Sequence, residues 1–273
     1  GGVVTFDWAA DNPFNGGDSY NKTGNPIQEL MPGGSANEVW VGWLDQIADF
    51  LGNNSDVPVV FRLFHEMTGW WFWWGKENCN ATEFRDAWKY TVGYIRIKRN
   101  ISNVLFLYAT SRMYAENHTE AVWTEDNMVS RYPGNDYVDA IGFDCYDNFT
   151  WYKESLNQSC EVMFSFALKN GRIPVIGETG HRPHHSDCGN CGEWWAEFYD
   201  VYSDPYSMCH HAAYMMTWSN YGPEDYYIPL PKENSYERFS EFMMNEEIQL
   251  GNSTFWKENI LMTGYVDDDE LFE

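Results

Sequence analysis

Six short apolar runs, separated by stretches of helical periodicity, restrict this chain to a parallel α/β fold. The runs are Gly2–Trp8, Val57–Phe64, Asn103–Ala109, Val138–Tyr146, Arg172–Glu178 and Ala212–Trp218. Between them, Val39, Trp40, Trp43, Leu44, Ile47 and Phe50 share one face of a helix predicted over Asn37–Leu51. Phe84, Trp88, Tyr90, Val92 and Ile95 do the same over Thr82–Arg99. Further helices are predicted over Glu161–Asn170, stopped by Gly171, and over Glu193–Tyr202. Strands that alternate with helices pair in parallel, and a parallel sheet is covered on both faces, which is why its strands are apolar throughout. No repeat or low-complexity linker divides the chain, so its 273 residues read as one domain with a sizeable core. The acidic stretch Asp267-Asp268-Asp269-Glu270 reads as a solvated end.

The second run leads into Phe61-Arg62-Leu63-Phe64-His65-Glu66-Met67-Thr68-Gly69-Trp70-Trp71-Phe72-Trp73-Trp74-Gly75, which crowds four tryptophans into five residues shortly after an acid. Parallel α/β folds carry their chemistry at the C-terminal ends of strands, where His65 and Glu66 are expected. A glutamate beside flat aromatic faces suits carbohydrate. The fifth run also stops on a carboxylate, Glu178, followed by Thr179 and Gly180. Two carboxyl groups are what glycosidic hydrolysis requires: one protonated near neutral pH to serve the departing oxygen, the other ionised to attack the sugar carbon. Burial among Trp70, Trp71 and Phe72 is expected to raise the Glu66 carboxyl and make it the acid. The hydroxyl of Thr179 and the backbone donors beside Glu178 are expected to hold that residue as an anionic nucleophile. Retention of configuration requires the two carboxyl groups to lie about 5–5.5 Å apart. Trp70, Trp73 and Trp74 read as core residues rather than sugar platforms.

Seventeen basic against 41 acidic residues give a formal charge of -24, which repels phosphate backbones and anionic membrane surfaces. Neither nucleic acid nor a membrane is an expected partner. No apolar run reaches the roughly 18 residues that span a bilayer, and Gly1-Gly2-Val3-Val4 lacks the basic flank of a signal peptide. Sequons at Asn21, Asn53, Asn80, Asn100, Asn117, Asn148, Asn157 and Asn252 nevertheless favour a secreted glycoprotein whose signal has been removed. Six cysteines fit an oxidising compartment, with the pairing of Cys79, Cys145, Cys160 and Cys209 left open. One loop gathers His181, His184, His185, Asp187, Cys188 and Cys191, side chains of the zinc-ligating type. No second Cys-x-x-Cys or matched His pair follows it, so a metal is not expected there.

These strand ends resemble glycoside hydrolase family 26, whose best-known members are endo-β-1,4-mannanases on a (β/α)8 TIM barrel. The likeness runs along nearly the whole chain. Gly1 to Thr5 and on through Asp11-Asn12-Pro13, with Gly16-Gly17 after it, is similar to the family's third strand and loop, and Arg62 to Gly75 to its fourth. Val138 to Asp147 is similar to its sixth, Pro174 to Gly180 to its seventh, and Thr217-Trp218-Ser219-Asn220 to its eighth. The resemblance implies that Glu66 is the acid/base, Glu178 the nucleophile and His65 the neighbour that positions it. It also implies that Tyr146 hydrogen-bonds the nucleophile, Trp218 floors the cleaved sugar's site, and Trp71 is a further substrate contact.

By the same resemblance, residues 1–273 form one glycoside hydrolase catalytic domain. Its expected activity is that of a retaining endo-β-1,4-mannanase acting on mannan, glucomannan or galactomannan without a cofactor. Ala9 stands where mannanases carry a histidine after the tryptophan, and Ser219 where an arginine is common, which leaves a β-glucanase or xylanase of the same fold open. A catalytically idle carbohydrate-binding protein is the alternative from another class, against which the two intact carboxylates stand. A zinc hydrolase built on the His181 loop is a third, separable by metal analysis. Six strands are countable where the family's barrel has eight, so the first two βα units are expected to be missing from this chain or supplied by another polypeptide.

Overall fold

The computed structural model describes residues 3–113, 125–148, 150–182, 193–220, 227–233, 235–245 and 248. Its elements run β1 (Val4–Asp7), α1 (Pro26–Glu29), α2 (Asn37–Asn53), β2 (Val59–Arg62), α3 (Ala81–Gly93), β3 (Val104–Ser111) and α4 (Glu125–Arg131). They continue with β4 (Ala140–Asn148), α5 (Tyr152–Lys169), β5 (Ile173–Arg182), α6 (Glu193–Ser203), β6 (Met215–Thr217) and α7 (Tyr236–Met243). Every predicted run coincides with a strand, β3, β4 and β5 running a few residues past its predicted end, and the described strands form one six-stranded parallel sheet in chain order. Among the described residues no helix is long and apolar enough to cross a membrane.

Successive side chains of a strand point to opposite faces, and here the two faces feed two apolar layers. Val59, Phe61, Phe106, Tyr108, Ile141, Phe143 and Ile176 join Trp40, Leu44, Phe84, Trp88, Leu156 and Phe164 of the helices in the main core. Val60, Leu107, Ala109, Ala140 and Val175, with Leu105 and Tyr214 against them, form a separate inner cluster. Thr5 Oγ1 donates to Tyr214 OH at 3.3 Å, joining the first strand to the residue just before the last, so the sheet is curled as part of a barrel.

The helices follow their local signals with two departures. Asn80 caps α3 by accepting from the N–H groups of Thr82 and Glu83, and the Glu83 carboxylate returns to the Asn80 N–H. The helix predicted as far as Arg99 changes to a π turn over Tyr94–Lys98. Helix α5 begins at Tyr152 rather than Glu161, and its buried face runs Tyr152, Leu156, Cys160, Met163, Phe164 and Ala167 at helical spacing from the first turn, with Ser155 and Ser159 beside it. It ends as expected before Gly171, whose φ of +63° suits glycine. A disulfide joins Cys160 of α5 to Cys209, while Cys79 and Cys145 are free and buried.

Candidate active site

Strand register assembles the site before any side chain is considered. Asp7 pairs with Arg62 across β1 and β2, Ser111 with Asp144 across β3 and β4, and Asp144 with Glu178 across β4 and β5. On β5, simple alternation from inward-facing Val175 would turn Glu178 towards the helices. Instead Phe143 pairs with Ile176 and Asp144 with Glu178, leaving Gly177 as the extra residue of a bulge that returns Glu178 to the inner side. Only glycine suits this place, since a Cβ would lie 2.6 Å from Asp144 Oδ1 and 3.2 Å from Arg62 Nη2.

Arg62 is the hub. Its side chain is fully buried, with Nη1 donating to Glu178 Oε1 at 2.6 Å and Asp7 Oδ2 at 3.2 Å. Nη2 donates to both Asp144 oxygens, at 2.7 and 2.6 Å. The planar guanidinium presents several donors in a fixed fork, which lets one cation serve three carboxylates. The other Glu178 oxygen accepts from Tyr146 OH at 2.8 Å. Burial, and next the Glu178 charge, pushes the Tyr146 phenol well up, so it keeps its proton and acts as donor. Thr179, expected to hold Glu178, faces the other way: its hydroxyl donates to Cys145 O at 3.1 Å and meets Tyr152 OH. The reason is geometric, because adjacent strand residues lie on opposite faces.

Asp144 is wholly buried, and burial together with the surrounding acids pushes its carboxyl upward against the pull of Arg62. Burial also works to raise Asp7, but His65 and Arg62 outweigh it and hold that carboxyl at about 2. His65 Nδ1 lies 3.0 Å from Asp7 Oδ1, although the ring N–H does not aim along that line and neither atom has an aligned hydrogen bond. His65 thus stands next to Asp7, which shares Arg62 Nη1 with Glu178, rather than touching Glu178 itself. Asp7, His65 and Glu178 bring donor atoms within 4.8 Å of one another, as do His65, Glu66 and Asp144. The positive charge that such sets attract is already supplied by Arg62.

Glu66 stands beyond the strand rather than at its end. β2 stops at Arg62, and in the turn that follows Phe64 and Glu66 take φ values of +48° and +51°. This left-handed conformation is costly for residues with side chains and persists where the surroundings enforce it. Here Phe64 packs against Trp40, Trp73, Trp74 and Phe84, and Glu66 N–H donates to Ala109 O at 2.9 Å. Burial raises the Glu66 carboxyl from its ordinary 4.5 to about 7; the Glu178 charge adds to this, while His65, Trp71 and Arg62 oppose it. Trp71 Nε1 donates to Glu66 Oε2 at 2.8 Å.

The other aromatics divide differently from expectation. Trp73 and Trp74 are core residues as predicted, their N–H groups bonded to Ala10 O and His65 O. Trp70, also predicted in the core, is 52% exposed with Lys22 Nζ 4.7 Å above its ring. Phe72 is stacked on Trp74 at 4.4 Å and packs against His65.

A cleft of about 370 Å³ is lined by Tyr20, Glu66, Trp71, Ser111, Arg112, Asp144 and Tyr146. Glu178 is 6% exposed and lies directly behind this lining, bonded to Tyr146. Trp218 is partly buried immediately after β6. Ala9 lines a different depression, with Trp8, Asp11, Trp43, Gln46 and Ile47. Of the zinc-type loop, residues 183–192 lie outside the described residues. Asp7, Arg62, Asp144, Arg112 and Tyr20 were not singled out in the sequence. The available signal for Arg62 and Asp144 was a charge inside an otherwise apolar strand, which must be paired when buried.

The Glycosyl hydrolase family 26 model matches residues 1–217. A mannan endo-1,4-beta-mannosidase of Bifidobacterium adolescentis is 29% identical over 237 residues, 81% of this chain and 23% of the relative. Mannan endo-1,4-beta-mannosidase A and B of Caldalkalibacillus mannanilyticus is 33% identical over 159 residues, 54% of this chain and 29% of the relative. Among solved structures, a Cellulomonas fimi endo-beta-1,4-mannanase double mutant superposes with TM-score 0.79 at 27% identity, covering 90% of this chain and 55% of that one. The catalytic domain of a Bacillus sp. JAMB-750 GH26 endo-beta-1,4-mannanase gives TM-score 0.80 at 28% identity, covering 89% and 66%. The chain thus spans less than a third of these two curated relatives and 55% to 66% of these two structures.

Proposed function

We propose that this chain, which belongs to glycosyl hydrolase family 26, is the catalytic part of a retaining endo-β-1,4-mannanase. The observation that carries the reading is one site holding two unlike carboxyl groups. Glu66 is raised to about 7 by burial, and Glu178 has one oxygen on Arg62 and the other on Tyr146. In the first step a Glu178 oxygen attacks the anomeric carbon while Glu66 gives its proton to the departing glycosidic oxygen. In the second, Glu66, now a carboxylate, takes a proton from water, which attacks the same carbon and releases Glu178. Arg62 and Tyr146 orient the nucleophile, and Trp71 offers the substrate a flat face while its N–H rests on the acid.

The names of the relatives support mannan as substrate, and glucomannan and galactomannan are proposed beside it because they carry the same β-1,4-mannosidic bond. A β-glucanase is the second reading, favoured by Ser219 at a position where the resemblance leads one to expect arginine, next to the partly buried Trp218. Reducing-sugar release from mannan, glucomannan, lichenan and xylan by the full-length natural protein separates them, and proton NMR of the first-formed anomer tests retention. Release from lichenan alone overturns the mannanase reading.

We further propose that two more βα units complete an eight-stranded barrel in the natural protein. In its support, β1 and β6 each pair on one side only among the described strands, and Val4, Phe6 and Phe50 are exposed along the β1 side. The mass of the natural protein tests this. Secretion is proposed from the eight sequons, of which Asn53, Asn80, Asn100 and Asn157 are exposed, and from the Cys160–Cys209 disulfide. A mass decrease on enzymatic deglycosylation tests it.

A further inference from the structure

Arg112 directly follows β3 and is the one basic side chain among the described residues lining the Glu66 cleft. The end of β3 just before it is tied to the loop that carries the acid: Ser111 N–H donates to Thr68 Oγ1 at 3.2 Å, and Glu66 N–H to Ala109 O at 2.9 Å. Its Nη1 is ion-paired with Asp147, a side chain 4% exposed that also accepts from Ser155 Oγ. Among the described residues, Nε and Nη2 of Arg112 have no protein acceptor, and the side chain is 21% exposed. A guanidinium anchored at one end and open at the other is a rigid fork for two neighbouring acceptors.

The surrounding charge selects the kind of acceptor. Arg112 is already paired with Asp147, and Arg62 with Asp144 and Glu178, so three acids face two cations even with Glu66 protonated, and a carboxylated sugar finds no free positive charge. Neutral hydroxyl groups accept the same donors without needing one. The position selects which sugar supplies them. The Glu66 proton goes to the departing oxygen, so the residue tethered to the acid's loop lies beside the sugar that leaves.

We propose that Arg112, anchored by Asp147, is a specificity-determining residue that hydrogen-bonds the hydroxyls of the leaving-group sugar; the proposal rests on the hydrolase reading above. The test uses the full-length natural protein, Arg112→Ala and Arg112→Lys, each assayed on a mannooligosaccharide and on a nitrophenyl β-mannoside whose leaving group is not a sugar. Arg112→Ala should lower kcat/KM on the oligosaccharide by on the order of 10- to 100-fold, the loss expected when a charged donor is removed, with a markedly smaller loss on the nitrophenyl substrate. Lysine keeps the pair with Asp147 but lacks the fork, so Arg112→Lys should show the same asymmetry, and it carries the comparison if the alanine variant fails to fold. Equal losses on both substrates, or no loss on the oligosaccharide, overturn the proposal. A wild-type protein inactive on both overturns the mannanase reading on which the choice of substrates rests, an outcome distinct from failure of the Arg112 assignment, which shows only with an active wild type.

Discussion

Removing the indole N–H of Trp71 while keeping an aromatic ring should make Glu66 a weaker acid. That N–H donates to Glu66 Oε2 at 2.8 Å and favours the charged carboxylate, so it pulls down a value that burial has already raised to about 7. A hydrogen bond to a charged group contributes about 1.5–3 kcal/mol. Glu66 is partly open to the cleft, where water replaces part of the lost bond, so the lower end applies. At about 1.4 kcal/mol for each tenfold change, Trp71→Phe should move the alkaline limb of kcat/KM upward by about one pH unit. The sign follows from the role: the acid must be protonated, so a weaker acid stays competent to higher pH. The assay is the pH profile of kcat/KM on a mannooligosaccharide for both proteins. Phenylalanine keeps a flat face, so lost sugar contact lowers the whole profile without displacing the limb. A limb that stays in place or moves down refutes the argument that Glu66 senses the Trp71 N–H.

Glu178→Ala should abolish turnover on every substrate. Glu66→Ala should lose about 10²- to 10⁴-fold on oligosaccharides yet spare the first step on a nitrophenyl glycoside, whose leaving group needs no proton; equal losses on both contradict this division of roles. Glu66 also carries a stability cost. Its folded value lies above the ordinary 4.5, so below that pH both states are protonated and nothing is lost; between 4.5 and about 7 the unfolded chain ionises first and stability falls, and above 7 the loss is complete. After allowance for partial exposure, Glu66→Gln should therefore gain about 1–3 kcal/mol in urea unfolding at alkaline pH and nothing at acid pH; a gain independent of pH refutes the linkage.

The parts of this fold that were legible in the sequence are those set by apolar periodicity. Each run predicted as a strand overlaps one, and helix α2 starts at Asn37 as read. What escaped was local geometry that overrides periodicity. The run Val57–Phe64 reads as one strand, but the structure ends it at Arg62 so that Phe64 can enter the tryptophan cluster and Glu66 the cleft, both at positive φ. The bulge at Gly177 decides that Glu178 faces inward and Thr179 outward, and its signal was an isolated glycine within a strand. The two acids and Tyr146 were legible because they end or extend apolar runs. The hub Arg62 and its partner Asp144 lay in plain sight inside such runs, where a charge is informative only once its burial is known. Trp71 was read as a sugar platform, and its hydrogen bond to Glu66 depends on a turn that no spacing rule describes.

The central claim is that Glu178 attacks the sugar while Glu66 handles the proton. Its most direct test is to inactivate the full-length protein with an activated, fluorinated mannoside whose glycosyl-enzyme turns over slowly, and to map the label by peptide mass spectrometry. The account predicts a single sugar ester on the peptide containing Glu178, absent from Glu178→Ala and still formed by Glu66→Ala. A label on Glu66 or on another carboxylate, or no ester at all together with an inverted first-formed anomer, contradicts it.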